Sequence, residues 1–413
     1  MSRFQIGFAL ALLACAGTAA RAETVAITGG TVHTLGAAGT IENATVLIEN
    51  GRIRAVGKDV AIPADAKRID AAGKVVTPGL FDSESRLTIG DVESNDTTVT
   101  DDRISAANDV ADVLNAWSPV IAINRVDGIT RAVVAPRPGK NLLAGRGAVI
   151  HLGTEPDLLI RPRVAMFAEL GLPAAKLSGG SRAGALLFLR EALQDALDYN
   201  TNHIAFDQGN RRPYALSRLD LEALLPVVRH EIPLVIEVNR AADIEAALKL
   251  AREFKLDLIL SDAGEGWMVA KQIAAAKVPV LLDVTKNLPD TFDRVGATLE
   301  NAARLHAAGV TVALKSGESR NSRDLKQAAG NAVAYGLPWQ TALEAMTTVP
   351  AKIWGIADHY GTLEPGKDAD VVVWDGDPLE VTTYADHVFI RGAEVPMTDR
   401  QLELRDRYKG IAH

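Results

Sequence analysis

Apolar runs alternate with amphipathic helical patterns along most of this chain, from about residue 77 to residue 350. The repeated β-α units predict an α/β fold with a TIM-type (β/α)8 barrel. A doubly wound open sheet is the alternative, but no Gly-x-Gly-x-x-Gly follows the first strand. The runs that we predict as buried parallel strands are residues 132–135, 148–152, 233–238, 256–260, 279–284 and 311–314.

Both ends of the chain are rich in short β segments. In the first part, Asn50-Gly51 lies between two alternating runs and predicts a tight hairpin. Strand patterns return near the other end, at residues 371–374 and 387–391. We therefore expect a small composite β-sandwich built from both chain ends, residues 23–76 and 357–413, beside a barrel of residues 77–356.

The first 22 residues have the pattern of an export signal. Arg3 gives a positive start, residues 6–17 are almost wholly apolar or small, and Ala20-Arg21-Ala22 fits a cleavage site. The sequence predicts export to a bacterial periplasm, cleavage after Ala22 and no membrane span. The only cysteine, Cys15, lies in a weak lipoprotein-like box, which is the alternative.

Residues 76–87 read Val-Thr-Pro-Gly-Leu-Phe-Asp-Ser-Glu-Ser-Arg-Leu and open the predicted barrel. Glu84 and Arg86 are two residues apart, so both side chains point to one face of a strand. Two histidines at that spacing can hold one metal ion. Arginine cannot be a ligand, because its guanidinium stays protonated and has no lone pair to give.

This segment resembles the Thr-Pro-Gly-(Leu/Phe)-(Ile/Val)-Asp-x-His-x-His-Leu motif of the amidohydrolase superfamily. Glu84 and Arg86 take the places of its two histidines. Residues 347–378 resemble the closing signature of the same superfamily. Residues 141–150 and 232–244 are similar to its exported imidazolonepropionase-like and prolidase-like members. The resemblance implies a barrel hydrolase of carbon–nitrogen bonds that binds one or two divalent metals, usually zinc.

Members of that superfamily also take a Lys or Glu after the fourth strand, His after the fifth and sixth, and a catalytic Asp after the eighth. Here the fifth, sixth and eighth positions carry Glu237, Asp262 and Gly317, and His151 is the candidate for the fourth. Glycine can neither ligate nor accept a proton, unless neighbouring Glu318 replaces it. The resemblance predicts a pocket of Glu84, Arg86, Asn141, Arg146, His151, Glu237, Asn239, Asp262, Lys315 and Glu318.

Three interpretations of these replacements stay open. In the first, Arg86 and Lys315 form an ion-pair network with the carboxylates, and the protein needs no metal or other cofactor. In the second, the carboxylates bind a hard divalent ion such as Mg, Mn or Ca, which Arg86 would repel. In the third, Glu237 or Asp262 is the catalytic base and Arg86 stabilises an oxyanion without metal.

The sequence therefore predicts an amidohydrolase-like pseudoenzyme that acts as a binding or partner subunit. A divergent amide or dipeptide hydrolase is the alternative. The expected partners are a small amide or peptide ligand and either copies of this chain or an active homologue. The formal charge of −8 at pH 7 gives nucleic-acid binding no electrostatic support.

Overall fold

A computed structural model describes residues 23–91 and 95–409, so the predicted export signal lies outside the described residues. The strands are β1 Val25–His33, β2 Thr40–Glu49, β3 Arg52–Gly57, β4 Lys67–Asp70, β5 Val75–Pro78, β6 Leu80–Ser85, β7 Ile129–Val134, β8 Leu143–His151, β9 Leu159–Glu169, β10 Leu234–Val238, β11 Leu258–Asp262, β12 Val280–Leu282, β13 Val312–Leu314, β14 Val371–Trp374, β15 Ala385–Ile390 and β16 Ala393–Glu394.

The α-helices cover most of the connections between the barrel strands. They are α1 Pro119–Arg125, α2 Leu172–Leu177, α3 Arg182–Asp207, α4 Arg218–Val228, α5 Ala241–Phe254, α6 Ala270–Ala275, α7 Asn301–Ala307, α8 Leu325–Ala334, α9 Trp339–Glu344, α10 Thr348–Ile353 and α11 Arg400–Tyr408. In residues 23–91 and 95–409, none of the helices combines the length and the apolar character needed to cross a bilayer.

Strands β6 to β13 form one eight-stranded sheet in chain order, which confirms the α/β fold with a TIM-type barrel. The sheet closes just beyond the carboxyl ends of β6 and β13. There Gly317 N donates to Glu84 O, and Arg86 N donates to Glu318 O, both at 2.8 Å. Because the carboxyl ends of parallel strands meet at one end of the barrel, polar residues that follow them gather at this mouth.

One barrel strand, β8, runs antiparallel to both of its neighbours, β7 and β9. The prediction of a parallel strand at residues 148–152 is therefore wrong. A short apolar run has the same pattern in a buried strand of either direction, so the sequence does not reveal the reversal. As a consequence, the last residue of β8 lies at the amino-terminal base of the barrel, where His151 pairs with Arg131 in the register of β7.

The barrel interior is apolar at its base and polar at its mouth. Phe81 and Phe167 point inward from β6 and β9 and pack against Tyr360 and Trp354, which follow α10. The Phe81 and Tyr360 rings meet edge to face with centroids 5.6 Å apart. These aromatic side chains close the base, so access to the interior is from the mouth.

The two chain ends pair in one small sheet domain, whereas the prediction was a composite β-sandwich. Its sheet contains β1 to β5 and β14 to β16, and β5 from the first part pairs antiparallel with β14 from the last. The predicted hairpin at Asn50-Gly51 joins β2 to β3, and both residues have positive φ, 53° and 78°. This agrees with the preference of Asn-Gly for tight hairpin turns.

Arg131 on β7 connects the barrel to this β domain. Its Nε donates to Asp370 Oδ2 at 2.7 Å, and its Nη2 donates to Asp370 Oδ1 and Asp368 Oδ2, each at 3.1 Å. The guanidinium also lies over the Tyr360 ring, 5.1 Å from the centroid. Since Arg131 is almost fully buried, two carboxylates and an aromatic face replace the water that it loses on folding.

Candidate functional site

Lys315 lies at the centre of the barrel mouth, directly after β13. Its Nζ lies 2.7 Å from Asp262 Oδ1 and 3.2 Å from Glu84 Oε2, and it donates to Ser261 Oγ at 2.5 Å. Burial favours the neutral amine, but Asp262 and Glu84 outweigh it and raise the pKa of Lys315. The side chain is therefore a buried ammonium between two carboxylates.

Glu84 is the first of these carboxylates and is fully buried at the end of β6. Its Oε1 accepts a hydrogen bond from Arg86 Nη2 at 3.0 Å, and its Oε2 accepts one from Ser261 Oγ at 2.6 Å. Burial opposes ionisation here, but Lys315 and Arg86 more than offset it and lower the pKa of Glu84. Glu84 therefore stays charged.

Asp262 is the second carboxylate and ends β11. Its Oδ2 accepts from Arg294 Nη2 at 2.8 Å, while Oδ1 faces Lys315. Burial again opposes ionisation, but Lys315 and other nearby cations lower the pKa of Asp262. Asp262 and Ala263 both have positive φ, 69° and 46°, a conformation that is unfavourable for residues with a Cβ. The ion pairs hold the carboxylate in place despite this backbone strain.

We call Glu84, Arg86, Asp262, Arg294 and Lys315 the ion cluster. A divalent metal does not fit it, because the Lys315 ammonium already occupies the space between the two carboxylates. The remaining carboxylate oxygens face guanidinium groups, which would repel a second cation. Within the described part of the chain, no three His, Cys, Asp or Glu side chains are grouped to hold a metal.

Glu169 and Glu237 line a cavity of about 390 Å³ beside the ion cluster, which we call the carboxyl cavity. Glu169 is the last residue of β9, and Glu237 is the last but one of β10. The two residues are aligned in the register of these neighbouring strands. Asn239, Lys286 and Arg294 contribute to the same wall. Glu169 therefore occupies the fourth-strand position, for which we predicted His151.

The two glutamates of this cavity have perturbed acidities. Burial raises the pKa of Glu169 to about 8, and the charges of Glu237 and Asp262 add to the shift. Burial also raises the pKa of Glu237, again with a contribution from Asp262. Among the described residues, neither carboxyl group has a hydrogen-bond partner. Near neutral pH this pair therefore holds a proton and can both donate to and accept from a bound molecule.

Replacing Glu169 with glutamine should change how stability depends on pH. Between the ordinary pKa of 4.5 and about 8, the folded wild type binds more protons than the unfolded chain, so its free energy of unfolding falls as pH rises. The variant should lack this slope, roughly 0.5 kcal/mol per pH unit after allowance for partial exposure. Urea denaturation at several pH values measures it. Exposed Glu231→Gln is the control, and an unchanged slope in Glu169→Gln would contradict the assignment.

The structure brings together six of the ten predicted pocket residues at the mouth. Glu84, Arg86, Asp262 and Lys315 belong to the ion cluster, and Glu237 and Asn239 line the carboxyl cavity. Glu318 contributes its backbone carbonyl, which accepts from Arg86 N, but its side chain is exposed.

The remaining three predicted pocket residues belong neither to the ion cluster nor to the carboxyl cavity. His151 is wrong as a mouth residue, because the reversal of β8 buries it at the base, where its Nε2 is bonded to Asp157 O at 2.8 Å. Arg146 pairs with Asp109 at 3.3 Å. Asn141 Nδ2 donates to Asp102 O and Ile104 O, so it holds a loop in place.

Sequence reasoning missed Glu169, Ser261, Lys286 and Arg294. For Glu169 a signal was present, since it ends an apolar run and precedes a Gly-Leu-Pro helix start, and the family resemblance allows Glu at that position. Arg294 comes from an irregular segment between β12 and α7, where no periodicity indicates which way a side chain points.

Comparison with known proteins agrees with this architecture. Residues 246–396 match the amidohydrolase family. Amidohydrolase tasK of Hapsidospora irregularis is 25% identical over 84% of this chain, which spans only 39% of that relative's length. An imidazolonepropionase of Brucella anthropi is 25% identical over 82% of this chain and 88% of its own length.

Solved structures give the same result for the fold. An amidohydrolase from Thermotoga maritima MSB8 superimposes with a TM-score of 0.81 at 25% identity, covering 91% of this chain and all of that one. A prolidase complexed with N-methylphosphonate-L-proline has a TM-score of 0.55 at 17% identity and covers 90% and 99% of the two chains, so it shares the fold.

Proposed function

We propose that this chain is an amidohydrolase-superfamily protein that binds a small amide or peptide ligand without metal-dependent hydrolysis. One observation carries the proposal. The Lys315 ammonium lies 2.7 Å from Asp262 Oδ1 and 3.2 Å from Glu84 Oε2, where a metal would need to compete with a fixed cation. By this proposal the ion cluster supports the barrel mouth and does not activate water.

Gly317, three residues beyond the eighth barrel strand, also supports the absence of metal-dependent hydrolysis. Gly317 takes the position at which the family resemblance places a proton-accepting Asp, and it has no side chain to accept one. A Cβ built on Gly317 would lie 3.6 Å from Lys286 Nζ, so a basic group now borders this position. The positions that the family resemblance assigns to the metal and to its proton acceptor therefore both have cationic neighbours here.

The carboxyl cavity supports the proposed binding of an amide or peptide ligand. Its volume of about 390 Å³ lies in the range of small-molecule sites. Glu169 in its protonated form can donate to a carbonyl oxygen, while Glu237 can accept from an N–H group. An amide presents both groups side by side, so an amide or peptide ligand satisfies two carboxyls that lack partners within the described residues.

Elemental analysis and activity assays of the purified protein test this proposal. We expect far less than one equivalent of bound transition metal and no turnover of dipeptide or N-acyl substrates, with or without added Mn²⁺. The same compounds should bind by calorimetry, and Glu237→Gln should weaken binding about tenfold through loss of one charge-assisted hydrogen bond. Glu231→Gln, at the base of the barrel, is the matched control. One tightly bound equivalent of metal would overturn the proposal.

A second candidate function is hydrolysis without metal, which the raised acidities of Glu169 and Glu237 favour. Glu169 would be the general acid and Glu237 the general base. Asp262 is a poor base by comparison, because both of its oxygens face cations and its pKa is lowered. Arg86 is likewise paired with Glu84. Turnover that resists chelators and disappears in Glu237→Gln would establish this activity in place of simple binding.

We further propose that the chain is exported and that it assembles with copies of itself or with an active homologue. The amino-terminal pattern described above supports export. Native mass spectrometry of protein from a periplasmic extract tests both points, since it gives the mass of each subunit and of the assembly. A mature chain that begins at Glu23 in an oligomer is expected, and an unprocessed monomer would contradict both.

A further inference from the structure

Arg86 also lines a second cavity at the barrel mouth, which shares no lining residue with the carboxyl cavity. We call it the arginine cavity. Its volume is about 500 Å³, and it is lined by Arg86, Arg137 and Arg320 together with Gly90, Gly317 and Asn321. Three guanidinium groups around one open space present up to fifteen N–H donors, far more than nearby acceptors use.

The hydrogen bonds of these arginines leave several donors free. Arg86 uses Nη1 on Ser85 O and Nη2 on Glu84 Oε1, but its Nε is buried and has no partner. The Arg86 side chain is only 6% exposed, so water does not readily satisfy that donor. An unpaired buried N–H group beside a cavity is a donor that an acceptor entering the cavity can satisfy.

The other two arginines are exposed and form no salt bridge among the described residues, although the charge of Arg137 acts on Glu169. Arg137 Nη2 donates to Gly317 O at 3.1 Å, which holds its guanidinium near the cavity. Within residues 23–91 and 95–409, the Arg320 side chain makes no hydrogen bond or salt bridge. Both therefore have fork-shaped donor pairs available for a planar anion.

The acidic groups at this cavity limit the charge of a ligand. Asp91 lines it but accepts from Asn115 Nδ2 at 2.9 Å and from Ser118 Oγ, and Glu318 is exposed. Among the described residues that line the cavity, three arginines and these two carboxylates give a formal surplus of one positive charge. Arg86 also pairs with Glu84, but the surplus is still one when the other members of the ion cluster, Glu84, Asp262, Arg294 and Lys315, are counted. A singly charged anion matches this surplus better than a phosphate, which carries close to two charges near neutral pH.

We propose that the arginine cavity is a binding site for a carboxylate group. Its ligand is a small carboxylic acid, or a larger molecule with one terminal carboxylate, held by the guanidinium forks of Arg137 and Arg320 and by Arg86 Nε. The site is separate from the carboxyl cavity, so it requires neither metal nor the function proposed above.

Acetate is the probe that tests this site. Sodium acetate should raise the melting temperature of the full chain in a saturable way, while sodium chloride at equal ionic strength should not. Arg137→Gln and Arg320→Gln should each weaken apparent acetate affinity about tenfold or more, the loss expected for a charge-assisted hydrogen-bonded pair. The control is Arg68→Gln, which removes an exposed arginine from β4 in the β domain and should bind acetate like the wild type.

Arg320→Gln is the decisive variant. Because the Arg320 side chain makes no hydrogen bond or salt bridge among the described residues, this substitution should leave folding of the protein unaffected. Equal stabilisation by acetate and chloride would overturn the proposal, and so would unchanged acetate affinity in Arg320→Gln. Saturable binding of inorganic phosphate without binding of acetate would overturn the carboxylate assignment. Crystals grown in acetate should show its oxygens against Arg137, Arg320 and Arg86 Nε.

Discussion

Replacing Lys315 with methionine should lower the free energy of unfolding by about 3–5 kcal/mol, the effect expected when one partner of a buried ion pair is removed. Glu84 and Asp262 would keep their negative charges in the barrel interior without the ammonium between them. Urea denaturation near pH 7 measures the change. Lys67→Met is the control, because Lys67 pairs with Glu394 at the surface and should contribute within about 1 kcal/mol.

The decrease in the free energy of unfolding caused by Lys315→Met should become smaller as pH falls from 7 towards 4. In the wild type the pKa values of Glu84 and Asp262 are lowered, so their contribution to stability is present above the unfolded-state values and is lost as pH falls. In the variant these carboxyls can take up protons instead and become neutral. A loss below about 1 kcal/mol at pH 7, or one that grows at low pH, would show that the ion cluster does not hold the mouth together.

Replacing Arg131 with methionine should lower the free energy of unfolding by a similar amount, about 3–5 kcal/mol. Asp370, almost fully buried, would lose both of its guanidinium bonds, and Asp368 would lose one. Because these bonds join the barrel to the β domain, we also expect faster proteolysis between α10 and β14. Denaturant titration and limited proteolysis measure the two effects.

Two further variants test whether the guanidinium bonds of Arg131 are the cause of this loss of stability. Arg131→Lys keeps the charge but not the fork of donors, so it should recover only part of the lost stability. Arg304→Met removes a guanidinium that pairs with Glu300 on the surface of α7 and should have little effect. If Arg131→Met were as stable as Arg304→Met, the connection between the two domains would depend on other contacts.

The elements that could be predicted from the sequence are those in which a periodic pattern and an end signal agree. Helix α5 occupies residues 241–254, where apolar residues repeat at helical spacing, and Lys255 ends it in a left-handed conformation. Strand β14 matches residues 371–374 for a similar reason. The direction of β8 could not be predicted, because side-chain burial in a barrel strand does not depend on which way the strand runs.

Residues of the candidate site could be predicted only where they lie at or just beyond the carboxyl ends of parallel strands. Glu84, Glu237, Asp262 and Lys315 follow this rule, and the structure places all four at the mouth. Arg294 could not be found this way, since it reaches Asp262 from an irregular segment. His151 was assigned to the wrong end by the same assumption that made β8 parallel.

The pairing of β5 with β14 has a consequence for how the chain is made. The strands of the first part leave the ribosome long before β14, and the whole barrel is synthesised between them. During that interval the edge of β5 that later faces β14 has no partner, and unpaired strand edges recruit other chains. Fragments that stop short of β14 should therefore aggregate more readily than the full chain.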